Sequence, residues 1–408
     1  MLRVFNTLSR KKEAFVPLKG RRVGLYACGP SVYQQPHVGN YRTYVFEDVF
    51  KRFLEWKGYR VKHVQNITDV ENKAIIEARI RRKTLKQLTA HYAKVFSSET
   101  RALNIIPADF TPKATDNIPE IAEFVCELRR NGFAYELNGD WYYAISRFPK
   151  YGMLSRLKVK PHCKPVGFDD YYKWQAGDFV LWRHCRKADR GACWDSPLGR
   201  GRPGWSIECS AIGRKYLGDR YDVKMGGVDN VFAHHENEIA QSWGVSRKVF
   251  AKYFIHVKHL LVDGVKMSKS LGNIVCLDDA RARGIEPLAL RLLYLTSHYR
   301  RRLNFTWKRA KEAQSRLDGC RECVKKLKKT GKAGAASRET LAAVKTAREG
   351  FVKAMEDDLD TPRALESACG LVFWSLEKTG KGGFSGGDAR AVRDALADFD
   401  RVLGLGLF

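Results

Sequence analysis

Three short stretches of this chain carry residue types whose spacing could do chemistry. His234-His-Glu-Asn-Glu238 sets an imidazole and a carboxylate at i and i+4, on one helical face, where both can reach one cation. Cysteines offer softer donors, Cys28 and Cys209 among them, yet spacing alone pairs neither with that helix. For Cys28 taken singly, a buried structural thiol is the ordinary reading. Lys266-Met267-Ser268-Lys269-Ser270, followed by Leu-Gly-Asn, places two ammonium groups in a Gly-bounded loop. Such a loop can follow charge developing on a transferred phosphoryl group. Cys28-Gly29-Pro30 through His37-Val-Gly39-Asn40 is a strand-to-helix junction whose backbone amides favour anions, and Gly39 lets a nucleotide come close to the backbone. Singly, the lysine loop reads as a solvated turn and His37 as a helix-start polar residue. Their order on one α/β chain is what makes them specific.

The elements that must position these residues follow from patterning. Arg22 to Ala27 reads as a buried strand, His37 to Trp56 as a helix with Tyr41, Val45, Val49 and Phe53 near helical spacing, and Val61 to Ile67 as a second strand. That strand–helix–strand unit seeds a parallel, doubly wound sheet. A long helical region, Asn72 to Leu103, follows. Thr115 to Pro203 changes character: a helix from Pro119 to Asn131, an aromatic hairpin segment Trp141 to Ile145, then a basic loop-rich tract from Tyr151 to Arg202. This reads as an insertion between two halves of a nucleotide-binding fold. The sheet resumes with a helix Ile207 to Leu217, a strand Tyr221 to Met225, a helix His234 to Trp243 and a strand Phe254 to Leu261. Beyond Asp278 the pattern is helical, broken at Gly331 to Ala335 and Gly380 to Gly387, as in an all-α bundle.

Bulk composition bounds the answer. At 408 residues, 44% hydrophobic and 12% aromatic, the chain expects two or three domains with sizeable cores. No apolar run approaches the roughly 20 residues of a membrane span. Met1 to Lys19 lacks the apolar core of a secretion signal, so a soluble, cytoplasmic protein is expected. The 10 cysteines are irregularly spaced, which favours reduced thiols over a disulfide framework. Cys320 and Cys323 sit in a basic helical stretch and read as incidental. His162-Cys163, His184-Cys185 and Cys193 form a looser cluster; loop thiols are its ordinary reading and a second metal site the sharper one. The 73 Lys and Arg against 45 Asp and Glu, a net charge of +28, attract a polyanion, most naturally nucleic acid.

The junction ending at Asn40 and the Lys266–Ser270 loop together resemble the two signature motifs of class I aminoacyl-tRNA synthetases, the second in full and the first with Asn40 where histidine is usual. Gly204-Trp205-Ser-Ile-Glu-Cys209-Ser, Gly226-Gly-Val-Asp229 and the His234–Glu238 stretch narrow this: they resemble the cysteinyl-tRNA synthetases, and the likeness runs from Cys28 to about Leu405. The resemblance implies a Rossmann-like parallel sheet, α/β in class, with a connective insertion, followed by an all-α helical bundle. Its divisions would be residues 1–114 and 204–278 for the two catalytic halves, 115–203 for the insertion, and 279–408 for a bundle facing tRNA.

The same resemblance implies one Zn²⁺ on Cys28, Cys209, His234 and Glu238, with the substrate sulfur completing the shell. Zinc would select cysteine over serine, because a thiolate binds it far better than a hydroxyl. It implies Mg-ATP against Gly29, Pro30, His37, Gly39, Asn40, Asp229 and Lys266 to Ser270, with His37, Asn40, Lys266 and Lys269 acting on the transferred group. Gly29, Thr68 and Trp205 would line the cysteine pocket. Two further departures stand out: Ser206 for a usual histidine and Ala233 for a usual proline. The implied partners are L-cysteine, ATP and tRNA(Cys), with no membrane. Two other readings compete: a relative joining cysteine to an amino-sugar in the mycothiol pathway, and a non-catalytic zinc and nucleic-acid scaffold. The +28 charge, Glu238 and the segment Phe46 to Lys73 favour tRNA; the complete lysine loop argues against the scaffold.

Overall fold

Four short strands form the middle of the molecule: β1 (Arg22–Ala27), β2 (Arg60–Gln65), β3 (Tyr221–Gly227) and β4 (Ala251–Val257). All pair in parallel, in the order β4-β3-β1-β2. Parallel neighbours need long crossovers, and here helices make them: α1 (Val38–Trp56) joins β1 to β2, α2 (Trp205–Leu217) precedes β3, and α3 (Glu236–Ser246) leads into β4. Both faces are covered. Leu25, Val223, Met225 and Ile255 belong to one core; Tyr26 and Phe254, which alternate with Leu25 and Ile255, belong to the other. The computed structural model describes residues 1–158, 177–189, 191–330, 333–380 and 384–408, and Lys269 by its backbone alone.

The chain runs outward from β1 to β2, then returns to lay β3 on the other side of β1. The strand order therefore reverses between β1 and β3, and the crevice beyond the carboxyl ends of those two strands is where such sheets bind ligands. The α/β class, the parallel sheet and the helical carboxyl-terminal region are as the sequence predicts. In that region the helices Trp307–Lys329, Arg338–Glu356, Thr361–Gly380 and Gly386–Leu403 pack together. The fully buried Arg291 ties the region to the sheet domain, donating to the carbonyls of Leu103, Asn104 and Leu403 and pairing with Asp48 on α1. Among the described residues, no helix is long and apolar enough to cross a membrane.

Several elements differ from their expected form, each for a local reason. The long helical region expected over Asn72 to Leu103 consists of two helices, Asn72–Ile80 and Leu85–Ala102. Arg82 turns left-handed between them, and Thr84 with Gln87 caps the second reciprocally. The tract Tyr151 to Arg202 is not merely loop: strands Phe179–His184 and Gly201–Pro203 extend the hairpin Ala134–Leu137 and Asp140–Tyr143 into a four-stranded antiparallel sheet. Five of the six residues in Phe179–His184 are buried, so the strand has no polar alternation to betray it. The strand expected over Phe254 to Leu261 ends at Val257, and Leu260–Val262 joins a separate small sheet. The stretch beyond Asp278 also breaks at residues 296–306, where the strand Leu303–Phe305 lies, and at Asp358 and Leu359, both left-handed. Asp358 holds that corner by accepting from Phe5 N, Tyr299 Oη and Arg300 Nε.

Candidate functional site

One crevice of about 370 Å³ opens at the switch point, and its walls come from the segment after each strand. Cys28 to Asn40 follow β1, Asn66 and Thr68 follow β2, Gly227 and Asp229 follow β3, and Val257 to Leu260 follow β4. Trp205, Cys209, His234, Lys266 and Met267 complete it. Sequence-distant residues thus converge because parallel strands deliver their carboxyl ends to one edge.

At the base of the crevice sits a nest of potential metal ligands. One atom from each of Cys28, His234, His235 and Glu238 lies within 4.8 Å of the others, and all four residues are buried. Cys209 is buried beside them; the Cys28 thiol hydrogen-bonds it and, with burial, pushes its pKa well above the ordinary thiol value. A bound cation reverses that tendency by deprotonating the thiol outright. Glu238 Oε1 lies 3.3 Å from His234 Nε2. Among the described residues, neither Glu238 Oε1 nor His234 Nδ1 has a hydrogen-bond partner, although both atoms are buried. Orphaned buried atoms of this kind call for a ligand. Two sulfurs, an imidazole and a carboxylate, dry and convergent, fit zinc.

His235 was not singled out in the sequence, yet it lies directly against Cys28 in the nest. Its Nε2 lies 3.1 Å from Cys28 Sγ, while its Nδ1 lies 2.7 Å from His256 Nε2. His256 Nδ1 in turn meets Thr7 Oγ1 at 2.8 Å. Both ring nitrogens of His235 are therefore occupied by protein, which leaves His234 as the better ligand. Burial lowers the pKa of both His235 and His256, the latter to about 3, so this imidazole row is neutral. The doublet His234-His235 was the available sequence signal, but choosing between them needs the hydrogen bonds.

The helix expected from His234 actually starts two residues later. Val231 to His235 is kinked ahead of α3, with an extended backbone at Phe232 (φ −129°, ψ 130°), so His234 and Glu238 meet across a helix junction rather than along one regular face. Trp205, at the start of α2, stacks on the His234 ring with centroids 4.2 Å apart. Asn66, also unmarked in sequence, is the bracket of the pocket. Its Oδ1 accepts from Gly29 N at 3.0 Å and faces Cys209 Sγ at 3.7 Å, and its Nδ2 donates to Thr68 Oγ1 at 3.0 Å. Gly29 has no alternative there, since a Cβ would fall 1.5 Å from the Asn66 carbonyl oxygen. Ser206, one of the departures, accepts from Gln241 Nε2 at 3.1 Å.

At the crevice mouth, His37 and Asn40 cap α1 reciprocally. Asn40 N donates to His37 Nδ1 at 3.2 Å, and His37 N donates to Asn40 Oδ1 at 3.0 Å. Burial holds the His37 pKa below its ordinary value. A neutral ring that accepts at Nδ1 carries its proton at Nε2, so His37 presents a donor. Asn40 spends its oxygen on the cap, a use the sequence did not indicate. A Cβ on Gly39 would meet Met267 Cε at 2.7 Å, so the two signature segments abut at that glycine. Lys266 is exposed at the mouth. Asn273 spans the loop, accepting from Ser268 N at 2.9 Å and donating to the Lys266 carbonyl at 3.3 Å. Ser268 and Ser270 bond each other at 3.2 Å and are not part of the crevice wall. Asp229 lines the mouth, exposed, 3.9 Å from His259 Nδ1.

The remaining cysteines correct one expectation. Cys185 and Cys193 are joined at an S–S distance of 2.10 Å, so the expectation of reduced thiols fails for this pair. A return of the chain brings them together, which irregular sequence spacing did not reveal. Cys163 and His162, the other members of the suggested second metal site, lie outside the described residues. Cys320 and Cys323 pack in the helical core, Cys323 Sγ 3.2 Å from Ser375 Oγ.

The fold and the crevice define a class I aminoacyl-tRNA synthetase catalytic domain. The family described as "tRNA synthetases class I (C) catalytic domain" matches residues 14–315. Solved structures agree at the level of fold: Mycobacterium tuberculosis methionyl-tRNA synthetase in complex with methionyl-adenylate superposes with a TM-score of 0.63 at 14% identity, over 94% of this chain and 90% of that one. The ternary complex of Agrobacterium radiobacter K84 agnB2 LeuRS-tRNA-LeuAMS gives 0.67 at 10% identity, over 95% and 85%. Within that class the sequence is much closer to one branch. It is 40% identical to the cysteine–tRNA ligase of Brachyspira hyodysenteriae, over 97% of this chain and 83% of the relative. It is 41% identical to that of Chlamydia pneumoniae, over 98% and 85%. The chain belongs to the cysteine–tRNA ligase family.

Proposed function

We propose that this protein activates L-cysteine with Mg-ATP and transfers it to the 3′ end of tRNA(Cys), with zinc on Cys28, Cys209, His234 and Glu238 selecting the substrate thiolate. The observation that carries the amino-acid choice is the buried nest itself: the Cys28 thiol, with Cys209 hydrogen-bonded to it, and two orphaned donor atoms at the base of a crevice whose mouth holds the His37–Asn40 junction. Bound zinc supplies a soft Lewis-acid site that a thiolate satisfies and a hydroxyl does not, which separates cysteine from serine.

The chain's own residues do the rest. Trp205 and Thr68 wall the cysteine side, and Gly29 lets the amino acid lie against the backbone after β1. The amino end of α1 and the His37 Nε2–H face the triphosphate. Asp229 holds the ribose. Lys266 and Lys269 follow the charge as the cysteine carboxylate oxygen bonds the α-phosphorus and pyrophosphate leaves. A 3′-terminal ribose hydroxyl then bonds the acyl carbon and AMP leaves. Positioning and fixed charge carry the rate, with no side chain required as general base. The helical region 279–408 faces the tRNA in this reading, and the +28 charge suits that polyanion and a cytoplasmic setting.

The test is cysteine-dependent exchange of label between ATP and pyrophosphate, followed by charging of a tRNA(Cys) transcript. Exchange with charging is expected. Exchange without charging would move the acceptor to a small amine such as an amino-sugar, and no exchange with cysteine would sink the activation step itself.

A further inference from the structure

β3 carries an unusual residue for a buried strand. Lys224 is fully buried, paired in register with Tyr26 on one side and Phe254 on the other. Its ammonium lies 4.0 Å from the centre of the Tyr26 ring. An isolated ammonium among aromatic rings is costly unless it is paired, and its partner is Glu238: Lys224 Nζ donates to Glu238 Oε2 at 2.7 Å. The other carboxylate oxygen, Oε1, is the buried atom left without a hydrogen bond and turned toward His234. The lysine thus divides the labour of one carboxylate between its two oxygens.

We infer that Lys224 is a positioning residue and counter-ion of the metal site, holding Glu238 by Oε2 so that Oε1 alone faces the cation, and offsetting the negative charge that collects there when the substrate sulfur binds. This inference rests on the zinc reading above. The charge argument is simple. Two thiolates and a carboxylate on a dication leave one net negative charge, and a substrate thiolate makes two. Inside a dry cavity such an excess repels the incoming sulfur. One buried ammonium halves it without taking a coordination position. Glu47 is another buried carboxyl near Lys224, and burial pushes its pKa well above the usual range. Groups standing behind a ligand as Lys224 does typically change metal affinity 10- to 100-fold when removed.

The experiment measures zinc affinity by competition with a chromogenic chelator, and steady-state exchange kinetics, in the full chain. Lys224→Met keeps length and apolarity and removes the charge. Its zinc dissociation constant should rise about 10- to 100-fold, and KM for cysteine should rise with it while KM for ATP stays within about twofold. Lys224→Gln, which keeps a donor to Oε2 but carries no charge, is the second variant, in case the first does not fold. It should also weaken zinc, by less. Cobalt-loaded protein gives a readout independent of turnover: the sulfur-to-cobalt absorption band that cysteine adds should need more cysteine to saturate in either variant. A folded variant that binds zinc and cysteine as the unaltered protein does would overturn the inference and leave Lys224 as a structural ion pair. If instead the unaltered protein binds no zinc, the metal reading itself falls, and the two failures are told apart by that single control.

Discussion

The base of the crevice and the lysine loop at its mouth solve opposite problems with opposite physics. Cys28, Cys209, His234 and Glu238 are buried, and each has close polar neighbours. Lys224, His235 and Asn66 brace them from behind through bonds of 2.7 to 3.7 Å. Lys266 and Ser270, by contrast, are exposed and Met267 and Ser268 half-buried, in a loop bounded by left-handed Gly264 and Gly272 and held by the pairing of Lys266 with Leu261 and the two bonds of Asn273. A site that must tell a thiol from a hydroxyl gains from fixed, desolvated donors, since any slack lets the wrong atom in. A loop that must meet a charge existing only in the transition state gains from freedom to close on it. Under the proposed function, rigidity tracks the step each region would serve.

Substitutions in the two regions should therefore separate cleanly. The largest effect is expected at the base: Cys209→Ser should lose zinc and lower pyrophosphate exchange on the order of 10³-fold or more, as removal of several kcal/mol of Lewis-acid stabilisation requires. Metal analysis beside the exchange assay checks it, and full zinc retention would break the comparison. At the mouth, Lys266→Ala should lower kcat about 10²- to 10³-fold with zinc content unchanged, since the lost group acts on developing charge. Between the two lies Trp205→Ala. The ring stacks on His234, and removing such a contact, about 0.5–1.5 kcal/mol, should raise KM for cysteine about two- to tenfold and leave KM for ATP alone.

The smallest expected effect is on stability, and it belongs to the buried sheet and not to the loop. His63 on β2 is buried with neither ring nitrogen bonded among the described residues, and burial, with Lys51 adding, lowers its pKa to about 4. Between pH 6.5 and about 4 the unfolded chain binds a proton that the folded one refuses, so stability is intact above that window and falls as pH drops through it. The loss from this group should be about 1 kcal/mol at pH 5.5. Urea unfolding of the protein and of His63→Leu at pH 7.5 and 5.5 measures it; equal pH slopes would show that the imidazole is not the cause.

Much of the fold was legible because it rests on local pattern. The apolar run Arg22–Ala27, the periodic Val38–Trp56 and the glycine breaks near 331 and 380 are properties of short windows. Phe179–His184 escaped notice because burial on both faces removed its alternation. In the site, Lys266 to Ser270 and the His37–Asn40 junction were readable as contiguous strings. The role of Asn40 in the helix cap, the occupied nitrogens of His235 and the pairing of Lys224 with Glu238 were not, since each is a contact between groups whose geometry no spacing encodes.

By itself, then, the sequence determined the class of fold, the two contiguous segments that meet at the crevice mouth and the chemical types able to grip a metal, because residue identity and short-range period suffice for those. Only the tertiary structure decided that Cys28, Cys209 and the His234–Glu238 junction share one dry nest, that His234 rather than His235 is left free for a cation, and that a buried lysine stands behind the carboxylate. The reason is geometric: a parallel sheet brings the ends of distant strands to one edge, and the desolvation that makes those side chains chemically useful exists only once they are there.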